Sequence, residues 1–267
     1  MEWAEETEPG TQGRSPVFEP LGIRGVERRM TYAEISGPLT QARFLRRYNR
    51  FLLQVRLEVT GETVDAHMAD PGRLEELLIV GKKIWLRPSA NPQRKTRWTA
   101  VLVETPDGKG LVSLDTTLPN RLVGRALRSR SIEELGEWEL VRPEIRVEDS
   151  RLDFLLKGIG GQLALEVKSV TLVEDGVGLF PDAVTERGRR HVRELCKLAR
   201  RPGWAAAVLF VLQRPDASRI RAARSIDQRF SDALEEARKA GVQVLGRRCR
   251  VSMNRVELGS SVPVDTL

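Results

Sequence analysis

Two acidic residues and one lysine stand close together in the segment SRLDFLLKGIGGQLALEVKS, which runs from position 150 to 169. They are Asp153, Glu166 and Lys168. Carboxylates are the usual protein ligands of Mg²⁺, a hard cation that prefers oxygen and keeps part of its water shell. A neighbouring lysine can orient an attacking water or stabilise the charge on a phosphate. The trio is a candidate catalytic site, in which Asp153 and Glu166 would be ligands of Mg²⁺ (or Mn²⁺) and Lys168 would act on a metal-bound water or a phosphate.

The same segment predicts an antiparallel β-hairpin closed by its glycine-rich turn. Pairing Phe154 with Leu165 across the ladder keeps the apolar side chains together, and strict alternation then places Leu152 on the same face as Phe154. This register sets Asp153 directly opposite Glu166. Because like charges at such a position destabilise a sheet, the register requires something that offsets their repulsion.

Three arrangements would offset that repulsion: a bound divalent cation, a proton shared by the two acids, or Lys168 and Arg151 acting as counter-ions. A plainer alternative is a solvated ion cluster on the outer face of the hairpin. The cross-strand pairing favours the cation, since two carboxylates with room for water and a substrate phosphate are a common way to hold Mg²⁺.

Two regions with different patterns must position these residues. Residues 1–29 are rich in Pro and Gly without an apolar period, so we expect a disordered tail. Residues 30–117 are assigned to one domain, because five strand-like runs from Phe51 to about Thr117, with one short helical run at 73–80, are typical of a small OB-like β-barrel. A sandwich fits the same pattern. Phe51, at the end of the segment ARFLRRYNRF, is expected in the core of this domain.

Residues 118–267 alternate between longer helices and strands. Helices are predicted at 120–135, 183–200 and 226–240. Strands are predicted at 144–156 and 162–170, in the apolar run AAAVLFVLQR and in the last run, VQVLGRRCRVS. Asp182 suits the N-cap of the second helix. The predicted fold class is therefore α/β (α+β), an OB-like barrel followed by a mixed-sheet domain.

The charge balance predicts a nucleic-acid partner, most simply DNA. The chain has 44 Lys and Arg against 37 Asp and Glu, a formal charge of +7, and a basic body suits a polyanion. ARFLRRYNRF also mixes arginine with aromatic residues, as single-strand binders do on barrels. The candidate nucleic-acid contacts are Arg46, Arg47, Arg94, Lys95, Arg151, Arg187 and His191. The last two are assigned to the basic face of the helix at 183–200, opposite its apolar stripe, and the alternative is a basic surface that is merely solvated.

Several other classes of protein are disfavoured. No apolar run approaches the roughly 20 residues of a membrane span, so no membrane partner is expected. Cys196 and Cys249 are the only cysteines, which fits free thiols in a reducing compartment and predicts a cytoplasmic protein. His67 and His191 do not have the spacing of a zinc site. No nucleophile elbow supports a serine hydrolase.

Longer segments resemble a known family. SRLDF, EVKSVTL and FPDAVTERGRRHVREL resemble the sugar fermentation stimulation protein A family, as do ARFLRRYNRFLLQV, DPGRLEELL and NPQRKTRW, so that the resemblance covers about residues 39–267. It implies an OB-like N-terminal domain and a second domain similar to PD-(D/E)xK restriction-endonuclease-like nucleases. It also implies DNA binding linked to the regulation of sugar (maltose) metabolism.

The resemblance carries over to the site by position. Asp153, Glu166 and Lys168 match the two acids and the lysine of the nuclease motif, while Leu152 stands where the motif has its proline. A further acid from the preceding helix is common in that superfamily, and the candidates are Glu133, Glu134 and Glu144. The resemblance places the basic helix beside the site, which favours Arg187 and His191 among its residues. Two functions stay open: a Mg²⁺-dependent DNA nuclease, and a DNA-binding transcriptional regulator that keeps the fold without cutting.

Overall fold

The computed structural model of the chain describes residues 31–91, 93–148 and 150–266. The tail predicted at 1–29 lies outside the described residues. The strands before the first helix are β1 (Thr31–Glu34), β2 (Thr40–Asn49), β3 (Leu52–Leu57), β4 (Thr63–Met68), β5 (Lys83–Pro88), β6 (Trp98–Glu104) and β7 (Leu111–Ser113).

Five of these strands form a closed barrel. They are hydrogen-bonded in the order β4-β3-β2-β5-β6, and a parallel pairing of β4 with β6 closes the ring, while β7 extends β6. Alternate residues point inward, as Leu53, Val55 and Leu57 do on β3, where they are buried in the barrel core. The OB-like barrel is confirmed, and the alternative of a sandwich is not.

The helix predicted at 73–80 is wrong. Leu74 has a positive φ of 51°, and Leu77 closes only a single turn by donating its backbone N–H to the Leu74 carbonyl. Both leucines fill the barrel core. The Arg47 guanidinium donates to the backbone carbonyls of Gly72 and Arg73, so the carbonyls that would begin a helix are already occupied.

After β7, the described residues form three α-helices, one short 3-10 helix and ten strands. They are α1 (Leu118–Arg128), a short 3-10 helix (Glu133–Leu135), β8 (Glu139–Val147), β9 (Ser150–Gly158), β10 (Gly161–Val170), β11 (Leu172–Glu174), β12 (Val177–Phe180), α2 (Glu186–Ala199), β13 (Trp204–Leu212), β14 (Arg219–Ala222), α3 (Gln228–Lys239), β15 (Gln243–Val251), β16 (Arg255–Ser261) and β17 (Val264–Asp265). None of these helices is both long and apolar enough to cross a membrane, a search that covered only the described part of the chain.

A seven-stranded mixed sheet is the centre of this second domain, in the order β1-β16-β15-β13-β10-β9-β8. β10, β13 and β15 run parallel, and their neighbours are antiparallel. Leu122 of α1 packs on one face with Leu165, and Val192 of α2 and Phe230 of α3 pack on the other with Ala164. A smaller sheet, β11-β12-β14-β17, lies beside it. The mixed α/β class is confirmed.

The first strand belongs to this second sheet. β1 pairs antiparallel with β16, Ala33 is buried with the α1 core, and Arg125 of α1 donates to the Tyr32 carbonyl at 2.6 Å. The predicted division at 30–117 had placed these residues with the barrel. From β1 in the large sheet, the chain passes through the barrel and then returns to the large sheet, so the pairing of β1 with β16 is long-range and leaves no local signal.

The hairpin of the predicted site has the expected register but not the expected faces. Phe154 pairs with Leu165, as predicted. Leu152, however, packs with Leu155 in the core beneath α2 and α3, while Phe154 packs beneath α1. Strict alternation therefore breaks at Asp153. The strand predicted at 144–156 is wrong, because β8 and β9 form a hairpin that turns at Glu148, where φ is +49°.

Helix α2 begins later than predicted. Thr185 caps it by accepting a hydrogen bond from the Gly188 N–H at 3.0 Å. A Cβ at position 188 would lie 2.8 Å from the Thr185 methyl group, so glycine is needed for this close approach. Asp182 is not the cap, and it instead contacts the barrel.

Candidate metal centre

Asp153 lies where the ladder between β9 and β10 ends. The last paired residues are Phe154 and Leu165, and one residue further the Asp153 side chain takes over the bonding. Its Oδ2 accepts from the Val167 N–H at 2.7 Å and its Oδ1 accepts from Asn120 Nδ2 at 2.6 Å. The predicted pairing of Asp153 with Glu166 in the ladder is therefore wrong. The Asp153 carboxylate is instead fixed from both sides where the two strands separate.

Glu166 lies on β10, on the face that α2 covers, and is 3% exposed. Its Oε1 accepts from Lys168 Nζ at 2.6 Å and from His191 Nδ1, also at 2.6 Å. His191 must carry its proton on Nδ1, since a carboxylate oxygen can only accept. Glu166 Oε2 is buried and has no hydrogen-bond partner among the described residues. Buried polar atoms are nearly always satisfied, so this oxygen calls for a ligand.

The surroundings of the two carboxylates shift their pKa values in opposite directions. Burial first, and then the charge of Glu166, raises the pKa of Asp153 from 3.8 to about 6. Burial would also raise the pKa of Glu166, but the hydrogen bond from His191 and the charge of Lys168 outweigh it and hold that pKa below its ordinary value. At neutral pH both acids are ionised, Glu166 is buried and Asp153 is partly buried, and the charge of Glu166 acts on Asp153. This is the electrostatic setting that a divalent cation relieves.

The donors fit a cation that keeps much of its own water. No group of three or more His, Cys, Asp or Glu side chains is arranged to hold a metal in the part of the chain that the structure describes. Counting only the residues that the structure describes, Glu166 supplies one unpartnered oxygen, and each Asp153 oxygen accepts one hydrogen bond. One or two carboxylates completed by water and phosphate are what Mg²⁺ usually takes, whereas structural zinc needs a full set of protein ligands.

The side chain that α1 contributes to this centre is an amide rather than an acid. Asn120 holds Asp153, while Glu134 forms an ion pair with Arg247. Glu144 pairs with Arg151 on the exposed hairpin at 3.5 Å. A search for acids misses Asn120, and its place in the first turn of the helix that precedes the hairpin is the only signal that could have suggested it.

His191 is not a surface contact. The sequence assigns it to the basic face of its helix, but it is 2% exposed and bonded to Glu166. The spacing could have shown this, because His191 follows Gly188 by three residues and precedes Leu195 by four, and both are buried. Arg187, on the same helix, is exposed and forms no ion pair with the described residues. The prediction that Arg187 contacts nucleic acid is compatible with this position.

The predicted nucleic-acid contacts on the barrel differ in how exposed their side chains are and in whether other protein groups already bind them. Arg46 is exposed and lies over the Tyr48 ring, 4.5 Å from its centroid. Arg47 instead donates to backbone carbonyls of the loop at 70–73, which makes it a structural residue. Arg94 is partly buried and donates to Thr99, while Lys95 is exposed. Phe51, expected in the core, is 48% exposed.

The barrel is bound directly to the loop that leads into α2. Asp182 Oδ2 accepts from the Arg73 N–H at 3.1 Å, and Asp70 Oδ1 accepts from the Gly72 N–H at 2.8 Å. A Cβ on Gly72 would lie 2.8 Å from the first oxygen and 2.9 Å from the second. The loop that carries the residues DPGR therefore seats the barrel beside the helix that bears His191.

Comparison with known proteins identifies the family. The model described as "SfsA N-terminal OB domain" matches residues 45–114, and the one described as "Sugar fermentation stimulation protein RE domain" matches residues 117–255. The chain belongs to the sugar fermentation stimulation protein family. The boundary between the two matches falls just before α1.

Relatives of similar length support this membership. A sugar fermentation stimulation protein homolog of Shouchella clausii is 47% identical, over 85% of this chain and 97% of its own. The homolog of Moorella thermoacetica is 43% identical, over 86% and 98%. The structure of Pyrococcus furiosus SfsA, described as a complex with Ca²⁺, has a TM-score of 0.77 and 30% identity, and covers 87% of this chain and 98% of that one.

Proposed function

We propose that this family member is a DNA-binding protein whose Asp153, Glu166 and Lys168 form a Mg²⁺- or Mn²⁺-dependent phosphodiesterase site of the PD-(D/E)xK type. The observation that carries the proposal is the Glu166 carboxylate, because one of its oxygens is buried without a partner while the other is held by Lys168 and His191. The description of the Pyrococcus furiosus relative as a Ca²⁺ complex supports a hard divalent cation in the family.

Each residue has a part in the proposed reaction. Glu166 and Asp153 would hold the cation, which supplies Lewis-acid stabilisation of the phosphate when bound. Lys168 Nζ lies 2.6 Å from Glu166 Oε1, so its charge is held beside the carboxylate that would bind the cation, where it would orient water and stabilise charge developing on a phosphate. His191 keeps Glu166 ionised and correctly turned. Asn120 does the same for Asp153.

One observation favours the second candidate, a DNA-binding regulator that does not cut. The helix position that contacts Asp153 is an amide, Asn120, so the described residues supply two carboxylates where related nucleases often have three. In either case the link to sugar (maltose) metabolism would act through DNA. The exposed Arg46 and Arg187 are suited to phosphate contacts.

Incubation of the purified full-length protein with single-stranded, duplex and branched DNA, with Mg²⁺ or Mn²⁺, tests the proposal. Cutting should be lost in Asp153→Asn and Lys168→Ala. The matched control is Lys157→Ala, which removes an exposed lysine from the same hairpin and should leave cutting intact. DNA binding without cutting on any substrate would refute the phosphodiesterase and leave the regulator.

A further inference from the structure

One outer face of the barrel carries exposed aromatic rings among arginines. Leu53 and Ala66 point into the core, so their neighbours Gln54 and His67 point outward on β3 and β4. Arg46 pairs with Gln54 across the sheet, which puts it on the same outer surface. His67 pairs with Thr99 of β6, extending this surface toward Arg94.

Both exposed rings on this face are held in place. Tyr48 is 45% exposed, yet its hydroxyl accepts from Arg46 and from Gln54, each at 2.8 Å, and Arg46 lies over its ring. Phe51 is 48% exposed, and its ring is nearly parallel to His67, with an angle of 18° and centroids 6.3 Å apart. Fixed aromatic rings lose little entropy when a ligand stacks on them.

The backbone also fixes Phe51. Its N–H donates to Asn49 Oδ1 at 2.9 Å, and its carbonyl accepts from the Met68 N–H at 3.0 Å. Leaving an apolar ring in water is unfavourable, by roughly 25 cal/mol for each Å² of exposed apolar area. A single exposed Phe is unremarkable. A rigid Phe and Tyr among arginines is what proteins that stack unpaired bases present to their ligand.

The charges on this surface complement a phosphate backbone. Arg46, Arg50 and Lys95 are exposed and Arg94 is partly exposed, against one exposed acid, Asp65, which pairs with Gln54 in the ladder. Burial and then the charge of Arg94 lower the pKa of His67. The imidazole is therefore neutral at physiological pH and serves as a stacking surface.

We propose that this stacking face, formed by Arg46, Tyr48, Phe51 and His67, binds the unpaired bases of single-stranded DNA. The proposal rests on the proposed function, since it names the form of DNA that the same protein takes. The protein would then prefer substrates that expose a single strand over a continuous duplex.

Fluorescence anisotropy of the full-length protein tests this directly. The probes are a labelled thymidine oligonucleotide of about 12 nucleotides, within the site size of one such barrel, and a duplex of the same length, both in EDTA so that no cutting occurs. Phe51→Ala should weaken single-strand binding by about 5- to 150-fold, the range for one base stack, and leave duplex binding unchanged. Phe51→Trp should restore it.

Tyr32→Ala is the matched control. Tyr32 is 42% exposed and has Arg255 5.6 Å from its ring centroid, but it lies on β1 of the other sheet, so its loss should change neither affinity. Tyr48→Ala provides a second variant of the stacking face and should also weaken single-strand binding. Arg46→Ala should make the negative slope of log K against log salt less steep by about 0.7, whereas Phe51→Ala should not alter the slope.

Unchanged single-strand affinity in both Phe51→Ala and Tyr48→Ala, or an equal loss for duplex, would overturn the stacking face. Because binding is measured without a cation, the result is separate from that for cleavage. Loss of single-strand binding in Phe51→Ala, in a protein that cuts nothing, would keep the stacking face and end the phosphodiesterase proposal. Cutting that depends on Lys168, together with unaltered single-strand binding in Phe51→Ala, would keep the phosphodiesterase proposal and end the stacking face.

Discussion

Replacing Asp153 by Asn is expected to stabilise the cation-free protein at pH 8. Burial and the charge of Glu166 raise the pKa of Asp153 from 3.8 to about 6, so its ionised form is disfavoured in the folded state by about 3 kcal/mol. Asparagine fits the same space. Its oxygen can accept from the Val167 N–H, and its amide can donate to Asn120 if that amide turns over. After allowing for one weakened charge-assisted hydrogen bond, we expect a gain of about 2 kcal/mol.

The sign of the effect sets its pH dependence. A carboxyl whose pKa is raised by folding binds more protons in the native state, so the wild type loses stability as pH rises from about 4 to about 6 and changes little above about 7. Asp153→Asn should lack this loss, and the two proteins should be equally stable near pH 4. Urea unfolding in EDTA at a series of pH values measures both curves.

A bound cation should reverse the order of stability of the wild type and Asp153→Asn. At a hundredfold excess over its Kd, Mg²⁺ stabilises the wild type by about 2.7 kcal/mol, with little effect on Asp153→Asn. Asp65→Asn, which changes an exposed carboxylate on the barrel, is the control and should alter stability by less than about 0.5 kcal/mol. If Asp153→Asn were less stable than the wild type at pH 8 without cation, the two acids would not be crowded and the reasoning would fail.

Two further substitutions test the supports of the centre. His191→Ala should destabilise the protein by about 3 kcal/mol at neutral pH, because it removes a donor from the buried Glu166 carboxylate. In urea unfolding, His191→Gln should recover part of this loss. Equal stability of all three proteins would contradict the role of His191. Gly161→Ala should lower Tm sharply, because φ is +124° and a Cβ would lie 2.1 Å from the Gly203 carbonyl oxygen. The control is Gly160→Ala, where a Cβ would have nothing within 4 Å, and this variant should melt like the wild type. Similar melting of both variants would contradict this geometry.

The local features of the site could be predicted from the sequence, because they depend on short-range patterns. The turn glycines and the apolar residues on either side fix the register of Phe154 with Leu165. The break in alternation at Asp153 could not be predicted in the same way, since it arises where β9 separates from β10 and the side chain replaces a ladder hydrogen bond. The other oxygen of Asp153 is held by Asn120, which lies 33 residues earlier in the chain.

Other differences share the same physical cause, which is tertiary contact overriding a local pattern. The run at 73–80 has helical composition, but Arg47 occupies the carbonyls before it. His191 looks like part of a basic face until Glu166 is brought against it from another element. Phe51 has an apolar side chain typical of a core residue, yet it lies in a turn outside the barrel. For the run at 73–80 and for His191, the deciding partner is distant in sequence.

Anomalous scattering from a crystal soaked in Mn²⁺ at pH 8 tests the central claim most directly. The account predicts one Mn²⁺ peak within bonding distance of Glu166 Oε2 and the Asp153 carboxylate, and its loss in Glu166→Gln. A centre without Mn²⁺ at saturating concentration, with Glu166 Oε2 bonded to a protein group or an ordinary water, would contradict it.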